Sequence, residues 1–301
     1  PKSRNWEMSK FEDYIRFKPE MKMKYVYYYD HVDNPRLYAQ YPGMTDKEIA
    51  QRMCDNYDFD FEMFLSPEEI KEITRSKGIN LEEEGNRFVY LFERENGQKA
   101  FLRIYDDNQR DPREAEITAA LKTMVVKSPL VAFVTGHGER DIYKGGERDY
   151  SAFAKNLSFR YSLINQGFGV TTLDLKADTA AVDIAEDIDI IVIADAREAY
   201  TTEEIAKIQR FVDRGGDMII ACEPRRQSVM NPLVERLGIT FMPGTVVEET
   251  EGYAPNQLFL NPTEEAVKNV RGYYVMSRYD SKLSMPGAVK FIVNDNCGFT
   301  S

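Results

Sequence analysis

The sequence is poor in the residues that mark disulfide-rich, redox and zinc proteins. It has 3 cysteines and 2 histidines in 301 residues. Cys54, Cys222 and Cys297 lie in three separate regions and include no C-x-x-C pair. This spacing provides neither a disulfide framework nor a zinc ribbon. So few thiols are compatible with a reducing cytosol and equally with a bacterial envelope protein.

Long apolar runs and excess positive charge are also absent. No stretch approaches the ~20 consecutive apolar residues that a membrane helix needs; runs such as 190–194 have the length of buried strands. Lysine and arginine number 39 against 50 acidic residues, which gives a net charge of −11. An acidic surface repels phosphate backbones, and the basic candidates Arg225-Arg226 and Lys22 with Lys24 are too small to compensate. Nucleic acid is therefore not a predicted partner.

Residues 1–128 have the pattern of an N-terminal α/β domain. Ser or Thr followed three residues later by Glu, as in Thr45 with Glu48 and Ser66 with Glu69, predicts helix starts. The predicted elements are a strand at 23–30, helices from 45 and from 66, a hairpin of 87–92 with 100–105 around Asn96-Gly97, and a helix at 112–124. This order is compatible with a thioredoxin-like layout, without its redox cysteines.

Residues 129–301 change to strand–helix alternation, which is typical of a doubly wound parallel sheet of the Rossmann or flavodoxin type. The predicted strands are 130–135, 169–175, 189–195 and 217–222, and the predicted helices are 150–166, 202–214 and 232–237. From about residue 243, Pro and Gly interrupt the pattern. We expect short strands there, packed as an irregular C-terminal extension.

Polar side chains follow the predicted parallel strands where each strand ends. In open α/β sheets ligands bind at this carboxyl edge. We therefore predict a ligand- or partner-binding rim; its candidate residues are Thr135, His137, Glu139, Arg140, Asp195, Arg197 and Glu223.

Three chemical alternatives are weaker at this rim. Gly136 and Gly138 begin a G-x-G pattern, but the third glycine of a dinucleotide-binding turn is missing; a tight turn that requires positive φ explains them better. Cys222 with His137 is a candidate nucleophile–base pair, yet Glu223-Pro224 forms no nucleophile elbow. The acidic and histidine ligand types present lack the spacing of a metal site. No cofactor, catalytic residue or metal is predicted.

The segment 131–140, Val-Ala-Phe-Val-Thr-Gly-His-Gly-Glu-Arg, resembles the strand and turn of the auxiliary family of ABC-type transport systems, which includes gliding-motility-associated proteins. Further similar segments are 114–121, 150–151, 189–194, the helix up to 214–217, and 283–288. The resemblance spans most of residues 25–301.

The resemblance implies a non-catalytic, extracytoplasmic domain on a bacterial inner membrane, with a glutamine-amidotransferase-like sheet domain. It implies a permease and an ATPase as partners, and flanking membrane segments outside this chain, but no particular ligand. We predict that the domain binds a partner protein or an envelope ligand and couples to the permease. Because the sequence starts at Pro1 and stops at Ser301 after a strand-like segment, we expect a piece of a longer protein. Two alternatives remain open: a cysteine-dependent hydrolase or amidase using Cys222 and His137, and a cytosolic sugar- or nucleotide-binding domain.

Overall fold

The computed structural model describes residues 8–85, 88–143, 146, 150–176 and 183–294. The chain divides into two compact units, residues 1–86 and 87–301. The first unit is mainly helical. Its helices and strands are α1 (Glu12–Phe17), β1 (Tyr27–Tyr28), α2 (Pro35–Gln40), α3 (Asp46–Tyr57), β2 (Phe64–Leu65) and α4 (Pro67–Ser76).

Side-chain caps fix the starts of the two longest helices of this unit. Thr45 accepts a hydrogen bond from the backbone N–H of Glu48, and the Glu48 carboxylate accepts one from the N–H of Thr45. Ser66 and Glu69 repeat the arrangement ahead of α4. Both predicted capping boxes are therefore confirmed, because they depend only on residues three positions apart. The predicted strand at 23–30 is reduced to the two residues of β1, which pair in parallel with β2.

The second unit contains the parallel sheet. Its elements up to the sheet's last strand are β3 (Phe88–Glu93), β4 (Lys99–Arg103), α5 (Glu114–Thr123), β5 (Leu130–Thr135), α6 (Ser151–Lys155), β6 (Gly169–Asp174), β7 (Ile190–Ala194), α7 (Thr202–Asp213) and β8 (Asp217–Ala221). Four strands pair in parallel in the order β6-β5-β7-β8. A mixed α/β fold with a parallel sheet is thus confirmed. The thioredoxin-like, Rossmann-like and flavodoxin-like descriptions stay predictions.

Alternate residues of the central strands pack on opposite faces of this sheet. Ala132 and Val134 lie in a core with Ile208 and Phe211 of α7. Val131 and Phe133 lie in a second core with Ala154 of α6. Because strand side chains alternate between faces and both faces are covered, the central strands have the continuous apolar sequence expected of buried parallel strands.

The C-terminal part of the second unit forms two antiparallel strand pairs. Its elements are α8 (Gln227–Val234), β9 (Ile239–Phe241), β10 (Gln257–Leu260), α9 (Glu264–Asn269), α10 (Arg271–Arg278), β11 (Leu283–Pro286) and β12 (Phe291–Val293). β10 pairs with β11, and β12 returns to pair with β9. Short strands were expected beyond residue 243, whereas α9 and α10 were not. None of the described helices combines the length and apolarity required to cross a bilayer.

The observed division between residues 86 and 87 differs from the domain boundary predicted at 128. The hairpin β3–β4 and helix α5 belong to the unit of the parallel sheet. Contacts of a buried arginine explain why the hairpin and α5 belong to this unit. Arg160, 2% exposed, contacts Asp107 and Glu116, and Arg103 donates a hydrogen bond to Asn165 at 2.9 Å. Sequence periodicity detects the change of pattern near 128 but not these long-range contacts.

The helix predicted at 150–166 is wrong in its central part. Only α6 and a 3₁₀ turn at Leu163–Gln166 are helical. Between them, the Asn156 side chain accepts hydrogen bonds from the N–H groups of Ser158 and Phe159. This local bonding competes with the helical ladder and ends α6. The predicted stop at Gly167 is confirmed, since that residue adopts a left-handed conformation with φ of 85°.

Candidate functional site

The candidate site lies at the carboxyl ends of β5, β7 and β8. Within the sheet, β6 is the neighbour of β5 on one side, and β7 followed by β8 lies on the other side of β5. The strand order therefore reverses between β5 and β7, and the crevice at such a reversal is the usual ligand position in open α/β sheets. Residues 136–140 follow β5, and 195–197 follow β7.

The two glycines after β5 are required by the turn. Gly136 has φ of 110° and Gly138 has φ of 72°. A Cβ on Gly136 would lie 2.8 Å from Asp174 Oδ1, and one on Gly138 would lie 3.3 Å from the Cβ of Arg197. The interpretation of Gly136-x-Gly138 as a tight turn is confirmed.

His137 does not face solvent but points into the protein. The residue is 1% exposed and stacks on Tyr200 with ring centroids 4.2 Å apart. Its Nε2 lies 3.2 Å from Glu204 Oε2, and its Nδ1 lies 3.6 Å from Glu139 Oε1. Both ring nitrogens therefore face carboxylates, and the imidazole ties the loop after β5 to the start of α7.

Glu139 is buried in the same cluster. It accepts hydrogen bonds from the Tyr200 hydroxyl at 2.6 Å and from the backbone N–H of His137 at 2.7 Å. Burial, together with the Glu139 charge, raises the pKa of Tyr200. Tyr200 is consequently a neutral hydrogen-bond donor.

Glu204 combines a capping role with a contact to the site. Its carboxylate accepts hydrogen bonds from the N–H and hydroxyl of Thr201, which form the capping box of α7. Burial opposes ionisation, but these hydrogen bonds and His137 outweigh it and lower the pKa of Glu204. An ionised carboxylate thus faces His137, and a buried carboxylate of this kind is tolerated because hydrogen bonds satisfy it.

The backbone is unusual at the ends of β7 and β8. Asp195 has φ of 51° and Arg225 has φ of 68°, in the left-handed region that non-glycine residues rarely occupy. Asp195 is 2% exposed and lies 3.5 Å from Nε of Arg226. Residues in this conformation cluster at binding sites and switch regions.

The accessible part of the predicted rim consists of other residues. Arg197 and Glu223 are exposed, while Thr135 and Arg140 are partly buried. Arg140 donates a hydrogen bond to Glu223 at 2.5 Å, joining the loops after β5 and β8. The structure therefore separates the seven predicted residues into a buried group, His137, Glu139 and Asp195, and an outer group, Thr135, Arg140, Arg197 and Glu223. We call the outer group the rim.

Cys222 lies at the end of β8 and is partly buried. Burial, together with the charges of Asp195 and Glu223, raises the pKa of its thiol to about 11. A nucleophilic cysteine needs the opposite, a lowered pKa and a basic partner. With His137 directed at two carboxylates, this geometry does not support the pair Cys222 and His137 as catalytic. Within the described ranges, no three ligand-type side chains come together as a metal site.

Sequence reasoning missed Tyr200 and Glu204 as members of the buried group. The capping box at Thr201 was visible in the sequence, and it places Glu204 in the first turn of α7. A helix that follows β7 begins at the carboxyl edge of the sheet. That position was the available signal that Glu204 lies close to the loop after β5.

The family comparison covers this sheet domain. Residues 128–281 match the family model ABC_transp_aux, described as "ABC-type uncharacterized transport system". The match spans just over half of the 301 residues. The chain belongs to this family. This membership identifies the chain as an auxiliary component of an ABC-type transport system and confirms the resemblance at that level.

The other comparisons add little to this. The search of curated proteins gives no match to this chain. A solved structure entitled "mmIFT52 N-terminal domain" is similar at 15% identity, with a TM-score of 0.39, over 56% of this chain and 69% of that one. This likeness is too low to support an argument about fold or function.

Proposed function

We propose that this chain is a non-catalytic, extracytoplasmic module of an ABC-type transport system, which binds a partner protein or an envelope ligand and couples it to a membrane permease and ATPase. Family membership supplies the transport system. The intact protein would be held at the outer face of a bacterial inner membrane by segments beyond this chain. The gliding-motility type and the glutamine-amidotransferase-like description belong to the same proposal.

The observation that supports a binding role over catalysis is the orientation of His137. A general base must reach a proton on its substrate. Here the imidazole is 1% exposed, and its Nε2 is within hydrogen-bond distance of Glu204, while its Nδ1 lies 3.6 Å from Glu139. The buried group instead holds the loop after β5 in place, and the rim presents Arg197 and Glu223 outward from this rigid base.

The rim is the contact surface in this proposal. Arg197 packs against Gly138, and its backbone N–H donates a hydrogen bond to the carbonyl of His137 at 2.8 Å. The buried group therefore fixes the backbone position from which Arg197 projects. An exposed arginine held on a preorganised backbone is a frequent anchor in protein interfaces.

The test is to purify the full-length protein from detergent-solubilised host membranes and identify retained proteins by mass spectrometry. We expect an ABC permease and ATPase with the wild type and at least tenfold less of both with Arg197→Glu. Arg36→Glu, at an exposed position in the first unit, makes the same change of charge and is the control. Retention of neither component by the wild type would contradict the function. Equal retention by Arg197→Glu would contradict only the assignment of the rim as the contact surface.

A further inference from the structure

The outer face of α10 is an unusual surface for this acidic protein. No residue of α10 is buried, although the helix is amphipathic. Tyr273 and Met276 face inward and are partly buried, whereas Tyr274 and Val275 are 51% and 44% exposed. Arg271 and Arg278 lie one turn before and after this apolar pair, because residues spaced by three, four and seven share a helix face.

Basic residues flank the exposed pair on both sides in the sequence. Between 268 and 282 the sequence has four cations, Lys268, Arg271, Arg278 and Lys282, and one acid, Asp280, so the local charge is 4 − 1 = +3. All four cations are exposed, and within the described residues none forms an ion pair. Lys268 lies in α9, and Lys282 follows α10. We call Arg271 and Arg278 with Tyr274 and Val275, all of α10, the basic helix face.

We infer that the basic helix face is a docking surface for an anionic lipid bilayer. Interfacial helices combine cationic side chains with an apolar face that enters the headgroup region, and tyrosine is enriched at that level of the membrane. The whole chain has a net charge of −11. Charges more than a Debye length of about 10 Å from the surface are largely screened, so the local charge decides the orientation in which the domain approaches the bilayer.

The contact is weak and depends on charge. Because the chain as a whole is acidic, attraction to the bilayer comes from the local charge of this face and is salt-sensitive. In a protein anchored to the same membrane, a weak contact acts at high effective concentration and suffices to orient the domain. Free binding to vesicles does not depend on the transport assignment, so a failure here would leave the proposed function untouched.

The experiment is flotation of the full chain with vesicles of phosphatidylcholine, with and without phosphatidylglycerol. We expect binding only to the anionic vesicles at low salt, and its loss in high salt. The double variant Arg271→Gln/Arg278→Gln is expected to bind about 30-fold more weakly, from about 1 kcal/mol per removed charge. Tyr274→Ala/Val275→Ala should also weaken binding, since it removes the apolar contact.

The matched control is Arg36→Gln/Arg52→Gln, which removes two exposed arginines of the first unit and gives the same net charge. It should bind as the wild type does. Circular dichroism of each variant reports whether the fold is retained. Equal binding by the control and the α10 variant would overturn the inference, as would no binding to anionic vesicles. Either result would favour an acidic protein, in place of a bilayer, as the partner of the basic helix face.

Discussion

At the residue scale, the environment of a side chain decides its chemistry more than its type does. Cys222 and His137 lie in the loops of one sheet edge, as sequence position suggested. His137 is nevertheless directed at Glu204 and Glu139, and Cys222 sits beside carboxylates. A strand-end cysteine with a raised pKa carries little of the nucleophilic thiolate at neutral pH.

Alkylation by iodoacetamide checks this assignment. With the pKa of Cys222 raised to about 11, the thiolate is scarce at neutral pH. We expect the folded protein to react far more slowly at this position than after unfolding. The rate should rise steadily as the pH approaches 11. Peptide mass spectrometry after timed labelling measures Cys222 separately from Cys54 and Cys297. Rapid labelling of Cys222 at neutral pH would favour the hydrolase alternative.

At the scale of elements, one arginine joins three parts of the second unit. Arg160 forms hydrogen bonds with Asp107 at 2.5 and 3.0 Å and with Glu116 of α5 at 2.5 Å, and it also bonds the carbonyl of Gln109. Its guanidinium stacks on Tyr105 at 4.3 Å. The hydrogen bonds from Arg160 are the main cause of the lowered pKa of Asp107, while burial raises that of Tyr105 to about 12.

Removing this arginine is expected to destabilise the unit strongly. Arg160→Leu leaves Glu116, 2% exposed, as a buried carboxylate without its cation. Breaking such a pair costs roughly 3–5 kcal/mol in free energy of unfolding. The comparison is Arg210→Leu, whose partner Asp183 is half exposed; exposed pairs contribute only about 0–1 kcal/mol. Urea unfolding of both variants measures the difference. Equal losses would show that the buried cluster contributes no more than a surface pair.

At the scale of the whole molecule, the compact units and the family match start at different places. The match begins at residue 128, whereas the second unit begins at residue 87. Asp107 and Glu116 lie between these positions and bond Arg160 beyond them. The segment 87–127 is therefore a structural part of the unit that contains the family's sheet.

Two fragments distinguish these boundaries. We expect residues 87–301 to unfold cooperatively, because the Arg160 cluster and the hairpin remain whole. Residues 128–301 should be much less stable or insoluble, since Arg160 loses both carboxylates and becomes an unpaired buried cation. Thermal unfolding followed by circular dichroism compares them. Similar melting temperatures for the two fragments would place the boundary at 128, as the sequence pattern predicted.

The sequence by itself determined the local features of this protein. Capping boxes at Thr45, Ser66 and Thr201, the hairpin at Gly97 and the four parallel strands depend on residues near one another in the chain, so their patterns could be read directly. The order of strands and helices also predicted which loops lie at the carboxyl edge of the sheet. The wrong central part of the helix at 150–166 shows the limit of such reading, since hydrogen bonds of Asn156 overrode the helical period.

Only the tertiary structure decided which candidate residues face solvent. Periodicity assigns no direction to side chains of a loop, so His137 and Glu139 could not be distinguished from Arg197 and Glu223 in the sequence. Their burial follows from Tyr200 and Glu204, more than 60 residues away in the chain. The same holds for Arg160 and for the pairing of β9 with β12. The positions of these side chains depend on long-range contacts, because a charged group is tolerated in the interior only where residues distant in the chain provide its partners.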